Sequence, residues 1–140
     1  MSKPLAIAKG IAFAFPDVCL TTTPGGPVPI PYPNIAQLSQ AQDVATDVVT
    51  GSAKTPVLIV DSNVSSSTGS SPSATAGVTS GTTQGMCVMA QGSGSVVYGP
   101  QSLGIVRFGD QTEQNTTSKQ APGNVQGIVL SAFPTVLVGD

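Results

Sequence analysis

The sequence predicts a mainly β fold in which short strands alternate with long ordered loops, with at most one short helix, in a single domain covering residues 1–140. Three observations carry that reading. Ser, Thr, Gly and Pro take the places that Leu, Glu and Lys fill in helical proteins, with 16 Gly and 12 Pro among 140 residues, so turn formers and β-branched residues dominate. Short β-branched runs recur between Gly, Pro and Asn. A hydrophobic content of 39% in a chain this long supplies one core without a required disulfide or metal. No repeat of fixed period is visible.

Along the chain, Met1 to Phe15 holds Lys3 and Lys9 around short apolar runs, and Lys9-Gly10 interrupts the hydrophobic region a signal peptide needs. No stretch is long enough to span a membrane, so the expectation is synthesis in the cytoplasm, no stable membrane insertion, and any exit by a specialised machine. Thr21 to Asn34 reads TTTPGGPVPIPYPN. Proline at 27, 29, 31 and 33 removes every second backbone donor and favours an extended path of which only one edge can pair. Val28, Ile30 and Tyr32 fall on one side of it by period-two spacing, which suits a strap laid along a body better than a free linker.

Asn34 with Gln37 resembles a capping box, and Ile35, Leu38, Ala41, Ala45 and Val48 follow helical spacing, which predicts a short helix near Ile35 to Asp43. Asp47 to Thr50 and Thr55 to Val60 flank Gly51-Ser52-Ala53-Lys54 as a hairpin with a four-residue turn. Ser62 to Thr83 is almost all Ser, Thr, Gly, Ala and Pro, which fits either a flexible linker or an ordered loop whose small residues let backbones approach closely. Gly85 to Ala90, Ser95 to Tyr98, Gly104 to Phe108, Val125 to Leu130 and Thr135 to Val138 read as further strands.

Charged residues make up 9% of the chain and the net charge is -2, too little positive field to hold nucleic acid. Charge this sparse also suits a surface that faces another protein. With no histidine, serine nucleophiles lose their usual base, zinc loses its commonest nitrogen ligand, and acid-base work falls to carboxylates. Of Asp17, Asp43, Asp47, Asp61, Asp110, Glu113 and Asp140, only Asp110 and Glu113 lie close enough in sequence to suggest a catalytic pair, and a solvated turn explains them better than a glycosidase dyad. Gly92-Ser93-Gly94-Ser95 lacks the Lys-Ser or Lys-Thr of a phosphate loop. The expectation is therefore a protein with no catalytic residues, not an enzyme. Arg107, the single arginine, precedes Phe108-Gly109-Asp110 and reads as half of a structural ion pair at a strand end, with Gly109 permitting a tight turn. Cys19 and Cys87 are compatible with a disulfide, a metal site or two buried thiols, of which buried thiols suit a chain without an export signal.

FPDVC at Phe15 to Cys19, followed by PGGPVPIPYPN at Pro24 to Asn34, resembles the opening signature of the PAAR-like domain family of bacterial injection systems. Asp61-Ser62-Asn63, Ser67-Thr68-Gly69, Ala76-Gly77-Val78 with Ser80-Gly81, and Val106 to Asp110 resemble later family blocks in the same order, so the resemblance runs from about Phe13 to Asn115. Phe15, Pro16, Asp17, Cys19, Pro27, Pro29, Pro31, Tyr32, Pro33, Asn34, Arg107, Gly109 and Asp110 carry it as structural residues. It implies a compact conical β structure, with Ser62 to Thr83 as an ordered internal loop. It also implies a role: capping and sharpening the trimeric valine-glycine repeat spike of a contractile injection system, type VI secretion or phage tail-like, and aiding membrane puncture. An effector or adaptor is the further partner implied, and delivery is extracellular or into target cells. Family members commonly hold a metal through histidines and a cysteine near the point. Here Gln114 stands where a histidine is expected, so no cofactor is expected, and Cys19 and Cys87 remain the weak anchors of a zinc site. An adhesin or tail-fibre module and a small secreted effector are the competing readings.

Overall fold

The computed structural model describes all 140 residues. Its elements are thirteen strands and one 3-10 turn at Leu38–Gln40, with no α-helix, and the strands do not close into a barrel. No helix is long and apolar enough to cross a membrane.

The chain is organised by a long hairpin of β2 (Ile11–Thr23) and β3 (Gly26–Gln37). Its tight turn ends at Gly26, where φ is 107°, a conformation that glycine alone adopts without strain. The hairpin joins a seven-stranded sheet through β12 (Val125–Leu130), β11 (Gln111–Thr116), β8 (Met86–Met89) and β6 (Asn63–Val64), in the order β3-β2-β12-β11-β8-β6, while β7 (Ala74–Gly77) pairs with the far half of β2. Three two-stranded pairs surround it: β1 (Lys3–Leu5) with β13 (Phe133–Val138), β4 (Ala45–Thr50) with β5 (Thr55–Val57), and β9 (Val97–Tyr98) with β10 (Leu103–Gly104).

One irregularity in β2 sets the rest. The register with β3 shifts between Ala14 and Asp17, at Phe15-Pro16, where proline supplies no backbone donor. Before the shift Ala12 and Ala14 face inward; after it Asp17, Cys19 and Thr21 do. The bulge thus moves the buried phase from even to odd positions and turns a carboxylate into the interior. On β3 the ladder to β2 runs from Gly26 to Gln37. Alternate prolines direct their missing donors to the other edge, which no further strand of the sheet occupies, as expected of a proline-blunted edge.

Two cores result. One lies under the sheet and is built of Ala6, Ala12, Ala36, Leu38, Leu58, Val64, Cys87, Met89, Val106 and Val129. The other is built of Leu5, Ile7, Ala45, Val57, Ile59, Ile105 and Val138, with Tyr98 and Leu103 of the β9–β10 pair packed against it. Ser62 to Thr83 is ordered: Ile35 and Thr68 exchange backbone hydrogen bonds of 2.8 Å each way. A Cβ at Gly69 would lie 2.0 Å from the Pro33 carbonyl oxygen, so the loop seats on β3 only because a glycine stands there.

The hairpin at 45–57 forms with its turn at 51–54, but the strand expected to reach Val60 stops at Val57. Beyond it the Leu58 and Val60 N–H groups donate instead to separate partners, the Ala6 and Gly104 carbonyls. The expected helix at Ile35 to Asp43 does not form. Asn34, Ala36 and Leu38 are buried by strand alternation, β3 continues to Gln37, and only Leu38–Gln40 turns helically. Asn34 caps nothing, because its amide is engaged in the interior. The expected strand at Gly104 to Phe108 is only partly formed: Gly104 ends β10, isolated bridges hold Ile105 to Ile59 and Arg107 to Leu5, and Phe108 already lies in the following turn.

Candidate functional site

The inward-facing Asp17 carboxylate is the centre of a polar interior. Asn115 donates to both of its oxygens at 3.1 and 3.3 Å, Asn34 donates to Oδ2 at 3.2 Å, and Asn124 donates to Oδ1. Gln114 extends the chain outward, donating to the Asn34 side-chain oxygen at 2.8 Å and backbone oxygen at 3.2 Å, and accepting from the Thr112 hydroxyl at 2.8 Å. Asp17, Asn34, Gln114 and Asn115 are each at most 1% exposed. Every buried side-chain polar atom has a partner, the condition under which such a network stabilises and does not merely cost desolvation. The network ties together β2, β3, β11 and the segment entering β12.

Local sequence explains each placement. Thr112 and Gln114 occupy the inward phase of β11. Asn115 follows at φ 52°, a left-handed position that asparagine tolerates, and there the register with β8 shifts. Gly127, opposite Ala14 on β2, has no room for a side chain: its Cβ would stand 2.4 Å from the Gln114 Oε1 atom.

A second cluster closes the other end of the sheet. The Arg107 guanidinium grips Asp110 with Nε to Oδ2 at 2.9 Å and a second bond to Oδ1 at 3.2 Å, while its other arm reaches Asp140 Oδ1 at 2.7 Å. Lys3 adds a bond to Asp110 at 3.2 Å. The Asp110 carboxylate also accepts the Arg107 backbone N–H, and Gly109 makes the turn at φ 83°. Glu113 points elsewhere, accepting from Gly123 N–H and the Gln126 amide; Asp110 and Glu113 therefore belong to separate networks.

The two cysteines are free and buried. Cys87 sits in the apolar core, whereas the Cys19 sulfur lies in the polar interior and accepts from Asn115 at 3.8 Å. Burial first, then the neighbouring Asp17 carboxylate, push the Cys19 thiol up to about 11; burial pushes Cys87 up to about 12. Zinc needs four ligands and its cysteines as thiolates. No three His, Cys, Asp or Glu side chains gather anywhere, and Gln114 is bonded at both ends, so the residues present do not fit the metal that the family implies.

An expected outcome follows for the thiols. At pH 8 a disulfide exchange reagent is expected to leave both cysteines of the native chain unreacted over minutes and to titrate two per chain in guanidinium. Because each folded pKa lies above the ordinary 9.0, the folded state keeps protons the unfolded chain has lost. That contribution to stability is complete below pH 9 and lost as pH rises through 11 to 12. Rapid native labelling at pH 8, or a melting temperature flat to pH 11, would contradict it.

The remaining motif residues are surface features. Phe15 is 58% exposed, Pro27, Pro29, Pro31 and Pro33 lie exposed on the blunted edge, and the Tyr32 hydroxyl pairs with Thr21 at 2.8 Å. Outward positions of the sheet bring Ile11, Phe13, Phe15, Ile35, Ile128 and Leu130 onto one apolar face through the β3-β2-β12 register. The structure thus joins Asp17, Cys19 and Asn34 in one cluster and Arg107, Gly109 and Asp110 in another. Thr112, Asn115 and Asn124 complete the first and were not singled out by sequence; the polar run Gln111 to Thr116 was the available signal.

The profile of the family described as Toxin PAAR-like domain matches residues 10–123. That span contains both motif clusters apart from Asn124, Asp140 and Lys3. No curated protein and no solved structure matches the chain.

Proposed function

The chain belongs to the Toxin PAAR-like domain family, a membership that ties it to spike-associated or toxin-related proteins, and we propose that it is the structural cap of a contractile injection spike. In this reading the protein binds the blunt tip of a trimeric valine-glycine repeat spike, sharpens it for membrane puncture, and gives an effector or adaptor a place to attach. It performs no catalysis. It is made in the cytoplasm, assembled on the apparatus and carried out with the spike. The family match across residues 10–123 is the observation that carries the proposal.

The physics of the chain supports it. The tip of a trimeric β-structured spike ends in unpaired strand edges, and a folded β cap removes that liability. A cap driven through a membrane must not shear, and here the irregular segments are tied down: of 73 backbone–backbone hydrogen bonds, 33 lie outside the strands. The apolar outer face, uninterrupted by charge, suits a body that works against other protein.

The test is size exclusion with light scattering of the purified chain mixed with a valine-glycine repeat spike trimer from the same genome. One cap per trimer is the expected result. Failure to co-elute at micromolar concentration would overturn the proposal, and a homotrimer formed by the chain alone would favour the adhesin or tail-fibre reading instead.

A further inference from the structure

The Asp17 carboxylate is a buried anion with no cation beside it: none of its partners is a lysine or arginine. Such a group is a natural ligand for a metal, and a metal would need lone pairs from the surrounding amides. The polarity of those amides is fixed from their far ends by backbone groups, directly for Asn115 and Asn124 and through Gln114 for Asn34.

Asn124 Oδ1 accepts the backbone N–H of Thr79 at 2.7 Å and of Ser80 at 3.1 Å. Its Nδ2 therefore faces Asp17 and the Val18 carbonyl. Asn115 Oδ1 accepts the backbone N–H of Gly85 at 2.9 Å, which again aims Nδ2 at Asp17. Gln114 Nε2 is committed to the Asn34 carbonyl oxygen, and with it the Asn34 side-chain oxygen is used, leaving Asn34 Nδ2 for the carboxylate. Reversing any one amide would set donor against donor or oxygen against oxygen at a buried site.

We propose that this interior is a built-in replacement for a bound metal: three amide N–H groups of fixed polarity stabilise the Asp17 charge, exclude cations, and make folding of the chain independent of any metal. Gln114, where the family resemblance places a histidine, is the residue that converts the site, because its amide bridges β3 and β11 without offering a lone pair to an ion. The inference stands on the chain's own fold and holds whether or not the chain binds a spike.

The experiment uses the whole chain, purified without added metal and passed through size exclusion. Elemental analysis of the peak is expected to find far less than one transition metal or calcium ion per chain. The melting temperature is expected to move by less than about 1 °C with excess EDTA and equally little with excess zinc or calcium, because a ligand that binds only the folded state must raise it. One metal per chain retained in the peak, or a melting temperature lowered by about 5 °C or more on chelation or raised as much by either ion, would overturn the proposal.

Discussion

Asp17→Ala is expected to destabilise the chain by about 3–5 kcal/mol, because it leaves several buried amide donors without their acceptor. The substitution leaves three amides, from Asn34, Asn115 and Asn124, aimed at an empty space. Each orphaned donor costs about 1–3 kcal/mol, and partial relaxation with entry of water keeps the total below their sum. Since a domain is stable by only about 5–15 kcal/mol, the variant is expected to be near unfolding at physiological temperature. Asp17→Asn keeps the size and one acceptor but sets an NH2 against at least one amide, so its cost is expected to fall between wild type and alanine. Urea unfolding measures both: the midpoint should drop in the order wild type, Asn, Ala with an unchanged slope. An Ala variant within about 1 kcal/mol of wild type would mean that the amides find other partners and that the interior is not organised around Asp17.

The identity of these partners explains what the sequence could and could not show. The hairpin at 45–57 was legible because its turn and both strands are contiguous, and the single pairing edge of β3 was legible because proline states it directly. The long strand β2 was not, since Pro16 interrupts the alternation and the bulge changes which parity is buried. Strand β11 was missed for a different reason. QTEQNT turns Thr112 and Gln114 inward, and a reading that expects apolar side chains inside takes such a run for a surface turn. The misplaced helix arose because Asn34, Ala36 and Leu38 satisfy period two while Ile35, Leu38 and Ala41 satisfy the helical period; only the pairing with β2 decides between them. Family resemblance singled out Asp17 and Asn34 without giving them a role. Their role is a network joining residues as far apart as 80 and 107 positions, and no spacing rule reports contacts of that separation.

The second large effect is expected at Arg107, where the geometry separates two explanations of a buried ion pair. Arg107→Met keeps much of the side-chain volume but leaves Asp110, which is fully buried, with the partly exposed Lys3 as its one remaining cation, and it leaves Asp140 to its bonds with Ser93 and Gly94. A loss of about 3–5 kcal/mol is expected, because stranding a buried charge costs more than the pair contributes over an apolar substitute. Asp110→Asn retains an oxygen for the Arg107 backbone N–H and strands the guanidinium less completely, since Asp140 remains. If the cost lies in the stranded charge, the double variant Arg107→Met with Asp110→Asn is expected to be more stable than the sum of the singles predicts, by about 1–3 kcal/mol. Additive losses would show instead that the two side chains contribute independently through packing. Acid provides a separate readout. The Asp140 carboxyl is held below its ordinary 3.8 by the Ser93 hydroxyl first, then the Gly94 N–H and Arg107. Its contribution is therefore complete above that pH and lost as pH falls below it. In Arg107→Met the acid loss from Asp140 should shrink but not vanish, because the largest stabilising partner, Ser93, is still in place. An acid profile unchanged by the substitution would show that the Arg107–Asp140 pair contributes nothing, leaving the guanidinium's work to Asp110 at the Gly109 turn and to its bond with the Gly139 carbonyl, which does not titrate.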